Sequence, residues 1–133
     1  MSHRMIPAPG EPTSALLRAC LILGGIAGAA GVMLLAMSAH VDTSGLVETA
    51  AQMLLFHAPA ILAIGAISQT RQSPFLGYAL ILMVAGLALF CGDLVIRAFA
   101  DRRLFPMSAP TGGMLVIIGW AAVILAALRI RSR

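Results

Sequence analysis

"QSPFLGYALILMVAGLALFCG", residues 72–92, contains no charged residue, and Asp93 ends it. A segment of this length suffices to cross a hydrocarbon core of about 30 Å as a helix, which takes roughly 20 apolar residues. Ser73-Pro74 marks its start. Serine is a favoured helix cap, and proline suits the first helical position, where its missing N–H costs nothing. Uncharged runs recur at 19–41, 49–70 and 104–128. They are continuous rather than alternating and far longer than the roughly ten residues of a barrel strand, so helices are predicted and strands are not.

The rest of the composition agrees. Of 133 residues, 60% are hydrophobic and 11% charged, against about 25% charged in soluble domains. Mean hydropathy is +0.98. So few charges cannot cover so much apolar surface in water, and lipid is the expected solvent. The predicted fold is all-α, an integral membrane bundle of four transmembrane helices at about 15–39, 46–68, 74–99 and 109–128. A flexible cytoplasmic N-terminal tail (1–14) precedes this domain (15–128), and a basic tail (129–133) follows it. The first apolar run exceeds the roughly 7–15 residues of a signal peptide, so helix 1 is expected to be retained.

All nine cationic side chains are arginines, and the pI is near 10.5. They lie at helix ends rather than in one patch, which points to anionic lipid headgroups and not to nucleic acid. Alternating spans place Arg4, Arg18, Arg71, Arg129, Arg131 and Arg133 on one side, and Arg97, Arg102 and Arg103 on the other. The positive-inside rule then puts both termini in the cytoplasm. The same topology sets Cys20 and Cys91 at opposite membrane faces, too far apart for a disulfide.

Packing is legible in the small residues. Helix 1 carries "GGIAGAAG" (24–31), with Gly24 and Gly28, and Ala27 and Gly31, as small-xxx-small pairs that let helices approach closely in lipid. Their partner is either another helix of this chain or a second copy. Pro59 interrupts helix 2 and leaves the Leu55 carbonyl without its helical partner. In helix 4, Gly112, Gly113 and Gly119 are expected to permit close packing, with Trp120 a packing residue near mid-helix.

Polar residues gather towards one end. His40 lies at the outer end of helix 1, His57 roughly 12 Å and Asp93 roughly 6–9 Å from the outer ends of their helices. With Gln52 and Arg97 they form a candidate intramembrane polar site. Asp93 and Arg97, four apart, share a helical face. Two explanations compete: an ion pair near the membrane surface, or a functional polar site with His57 or His40 facing the carboxylate. If the pair is buried, Arg97→Leu alone is expected to destabilise more than loss of both partners. A softer set, Met33, Met37, His40, Met53, His57 and Cys91, has donors suited to copper(I), and two histidines to haem. The alternative is that methionine fills gaps between helices. Nothing has the spacing of a hydrolytic triad, a phosphate loop or a zinc site, and no cofactor is expected.

The segments "LLAMSAH" (34–40), "AQMLLFHAPAIL" (51–62), "GLALFCGDL" (86–94) and "LFPMSAPTGGMLVIIGWAAV" (104–123) resemble, in order and spacing, the small bacterial four-helix membrane proteins catalogued as domain of unknown function 423. The resemblance covers residues 20–128. That family usually has Gly-Ala-x-Gly-Ala-His where this chain has Leu35-Ala36-Met37-Ser38-Ala39-His40, and often serine where Asp93 stands. The resemblance implies an inner-membrane four-helix protein and no particular activity. With so little aqueous surface for an active site, a non-catalytic role is expected: a homo-oligomer or an accessory subunit of a larger membrane complex. A proton or small-solute pathway is the alternative.

Overall fold

The computed structural model describes residues 14–41 and 43–130. These form four helices and no strand: α1 (Ala15–Val41), α2 (Leu46–Ser68), α3 (Pro74–Ala100) and α4 (Ser108–Arg129). Their 27, 23, 27 and 22 residues give lengths of about 33–40 Å, enough to cross a bilayer. The N-terminal tail before Ser14 and residues 131–133 lie outside the described residues. So do Arg4, Arg131 and Arg133, on which the orientation bias depends: among described residues each end has three arginines.

Local chemistry sets the ends. The Ser14 hydroxyl accepts the Leu17 N–H at 3.1 Å, capping α1, and Gln69 donates to the same oxygen. Ser73 and Pro74 open α3 in the expected positions, although the Ser73 hydroxyl makes no capping bond. The helix continues through Pro59 in α2. Three residues at helix ends take left-handed backbone: Gly45 (φ 75°) before α2, Asp101 (φ 51°) after α3 and Met107 (φ 68°) before α4. Glycine does so freely and aspartate tolerates it. A methionine there is uncommon, and this one is exposed.

The helices pair as two tight hairpins, α1 with α2 and α3 with α4, joined by an α2–α3 interface. Glycines explain the closeness. A Cβ at Gly24 would lie 2.7 Å from Leu62 Cδ2 and 3.3 Å from the Ala58 carbonyl oxygen; one at Gly31 would lie 3.2 Å from Leu55 N. Thus the small face of α1 packs on α2 on either side of Pro59. In the other hairpin, a Cβ at Gly86 would sit 2.6 Å from the Gly112 carbonyl oxygen, and one at Gly119 3.2 Å from Met83 N. Gly28 and Gly113, expected on the packing faces, have room: their Cβ atoms would find contacts at 3.7 and 3.8 Å. Gly65 and Gly86, not singled out from sequence, are the crowded ones instead.

The core runs along α3, the most enclosed helix, with Leu76, Leu80, Met83 and Leu87 against Ile61 and Ile64 of α2 and Val116 of α4. The bundle does not close. α1 touches α3 only lightly, and neither α1 nor α2 brings a Cα within 8 Å of α4. Between α1 and α3 runs an apolar groove of about 500 Å³, from Met37 and Ile96 down to Ala30 and Ala88. It continues into a narrower hollow of about 200 Å³ that reaches Leu23 and Val84.

Candidate functional site

Asp93 is fully buried in α3. Its Oδ1 accepts the backbone N–H of Leu104 at 2.9 Å, from the connection that leads back to α4. The hydroxyl of Ser108, in the first turn of α4 and also fully buried, faces the carboxylate, but neither Oδ2 nor Ser108 Oγ closes a hydrogen bond of good geometry. Arg97 Nη1 lies 3.9 Å from Oδ2, at the outer limit of an ion pair, with its side chain 34% exposed. Arg103 also stands near enough for its charge to act on the carboxylate. The carboxylate therefore fastens the α3–α4 connection to α3. An ion pair exists, but the N–H of Leu104 is the closer partner.

His57 faces elsewhere. Its Nδ1 lies 2.7 Å from the Met53 carbonyl oxygen, and the indole N–H of Trp120 donates to its Nε2 at 3.2 Å. These bonds define one neutral tautomer, with the proton on Nδ1 and the lone pair on Nε2. Trp120 was expected to fill space between helices. It is 44% exposed and does contact a second helix, bridging α4 to α2 through one hydrogen bond and a tilted ring contact at 5.9 Å.

The five predicted polar residues thus resolve into separate groups. Asp93 and Arg97 share the α3 clasp. His57 binds Trp120, Gln52 donates to Glu48 at 3.2 Å on the exposed side of α2, and His40 is exposed in the last turn of α1. Of the two competing explanations, the meeting of Asp93 with His57 or His40 does not occur, because each residue already has a nearer partner or faces outward. Sequence reasoning missed Leu104, Ser108 and Arg103. A serine opening α4 was visible as a signal; a backbone N–H in a connection was not.

The soft donors are likewise dispersed. Met33, Met37 and Cys91 line the α1–α3 groove, while Met53 packs against the core. The Cys91 thiol donates to the Ala50 carbonyl oxygen at 3.5 Å, and both ring nitrogens of His57 are occupied. Among the described residues no three His, Cys, Asp or Glu side chains are grouped to hold a metal ion. Cys20 and Cys91 are both free thiols.

A family model for a protein of unknown function, DUF423, matches residues 27–113, from mid-α1 to the first turns of α4. The UPF0382 inner membrane protein YgdD of Escherichia coli K12 is 32% identical over 123 residues, which cover 87% of this chain and 94% of that one. A UPF0382 membrane protein of Staphylococcus aureus is 35% identical over 82 residues, 62% of this chain and 66% of its own length. One from Staphylococcus epidermidis is 34% identical over a segment of the same length. No solved structure matches. Four apolar helices long enough to span a bilayer, an extended family match and near full-length similarity to a bacterial membrane protein agree: this chain belongs to the DUF423 family of multi-pass membrane proteins.

Proposed function

We propose that the protein is a non-catalytic inner-membrane protein that works by packing against other transmembrane helices, as a homo-oligomer or as an accessory subunit of a larger complex. Both termini face the cytoplasm, with the α3–α4 connection on the opposite side. The observation that carries this is the unclosed bundle. α1 and α4 do not meet, and the apolar groove between α1 and α3 opens to the side of the protomer. In lipid, helices associate through van der Waals fit, and a concave apolar face provides it.

The small residues of α1, whose partner the sequence leaves open between this chain and a second copy, do not support this role, since Gly24 and Gly31 are used against α2 within the protomer. The groove takes their place in the argument. The polar residues favour packing over a proton or solute pathway: Asp93 and His57 are each engaged in a local bond and form no continuous row.

Extraction in mild detergent, followed by mass measurement and identification of co-purifying chains, tests the proposal. A stable assembly larger than the 13.8 kDa chain is expected. A strict monomer without partners under every extraction condition would overturn it. Reporter fusions at the C-terminus test the orientation, and activity only on the non-cytoplasmic side would reverse it.

A further inference from the structure

Arg97, Arg102 and Arg103 gather at one end of the bundle. They line a single pocket of about 230 Å³, closed by Leu46 at the start of α2 and by Asp101. Arg97 makes the 3.9 Å pair with Asp93, whereas Arg102 and Arg103 form no ion pair among the described residues. Two guanidinium groups with no ion pair among the described residues, set side by side in a concave site, can take an anionic partner.

The pocket is also fixed in shape. Asp93 holds the Leu104 N–H immediately after Arg103, and Asp101, in left-handed backbone, donates its own N–H to the Arg97 carbonyl oxygen at 3.2 Å. The arginines therefore sit on a connection tied to α3 at both ends. This preorganisation reduces the ordering cost of binding.

We propose that this pocket binds a phosphate group, carried by an anionic phospholipid headgroup or by a free phosphate. Guanidinium forks match phosphate oxygens in pairs, which a lysine ammonium does not. The position fits, because the last turn of a spanning helix lies at headgroup depth, where phosphates are concentrated. The charge fits too. Within the described lining, three guanidinium groups face Asp101 in the pocket and Asp93 beside it, an excess of one positive charge, suited to the single negative charge of a phosphodiester. Leu46 offers an apolar wall to the glycerol side of a lipid.

The test uses the full-length protein in detergent. Native mass spectrometry measures retention of phosphatidylglycerol against phosphatidylcholine, and calorimetry measures inorganic phosphate binding to the delipidated protein. The wild type is expected to prefer phosphatidylglycerol roughly tenfold or more, less at high salt. R102Q/R103Q should abolish that preference, R102K/R103K should restore only part of it, and R18Q/R71Q at the opposite end should leave it intact. Both Arg102 and Arg103 are exposed, and salt competition on the wild type provides a readout that needs no variant. Lipid preference without phosphate binding identifies the headgroup as the ligand. Phosphate binding lost in R102Q/R103Q, without lipid preference, identifies a free phosphate. If wild type and R102Q/R103Q behave alike towards both probes, or only R18Q/R71Q matters, the site does not exist.

Discussion

The indole N–H of Trp120 reaches Nε2 of His57 at 3.2 Å and so joins α4 to α2, two helices whose Cα atoms stay more than 8 Å apart. His57 is 7% exposed while Trp120 is nearly half exposed, so the bond lies at the edge of the protein, against lipid. Interhelical hydrogen bonds in membranes average about 0.6 kcal/mol, with a maximum of about 1.7. In a double-mutant cycle of His57→Ala and Trp120→Phe, read by unfolding in mixed micelles, a coupling in that range is expected. Strict additivity would show that the bond adds nothing.

Asp93 supports a second comparison. Asparagine retains an oxygen for the Leu104 N–H; leucine does not, and leaves that donor without its partner. Asp93→Leu is expected to cost about 1–3 kcal/mol, and Asp93→Asn clearly less. Equal losses in the two variants' thermal midpoints would mean that the Leu104 bond is not what Asp93 provides.

For Arg97 the geometry revises the expectation drawn from sequence. A buried pair would make Arg97→Leu more damaging than loss of both partners. At 3.9 Å, with a third of the arginine exposed, the pair lies in the range of about 0–1 kcal/mol. Arg97→Leu should therefore be mild, and Asp93→Leu with Arg97→Leu should resemble Asp93→Leu alone. A large rescue by the double substitution in the same thermal assay would restore the buried-pair view.

Glycines divide by crowding. Gly86→Ala drives a methyl into the α4 backbone, with the Gly112 carbonyl oxygen at 2.6 Å and Val116 N at 2.8 Å, so α3 and α4 must separate. Such overpacking costs typically 1–3 kcal/mol. At Gly25 and Gly77 nothing lies within 4 Å, and alanine should stabilise slightly through helix propensity. Melting curves of the three variants decide: the order Gly25→Ala and Gly77→Ala above wild type, Gly86→Ala well below, is expected.

Helix number, span and type were legible because lipid imposes a strong demand, uncharged runs of fixed length, and the Ser73-Pro74 start obeys local backbone chemistry. Helix partners were less so. Gly24 and Gly31 declared a close contact without naming α2, and Gly86 was inconspicuous within an apolar run although a Cβ there would lie 2.6 Å from the Gly112 carbonyl oxygen. The polar site was half legible. Asp93 and Arg97 share a face by spacing alone, but the nearer partner of Asp93 is a main-chain N–H, which residue type does not reveal. Trp120 was placed on its helix correctly, yet its reach to His57 depends on two hairpins being set apart, a tertiary fact.

The central claim is that the side of the protomer with the α1–α3 groove is where other helices pack. Site-specific photocrosslinking in intact membranes tests it most directly. Met33, in the groove wall, and Ile124, on α4, are matched in exposure at 61% and 62%. A photoreactive residue replacing Met33 is expected to give discrete protein–protein adducts, to a second copy or another membrane chain, and one replacing Ile124 few or none. Crosslinking to lipid alone at Met33, or equal protein adducts from both positions, would contradict the account.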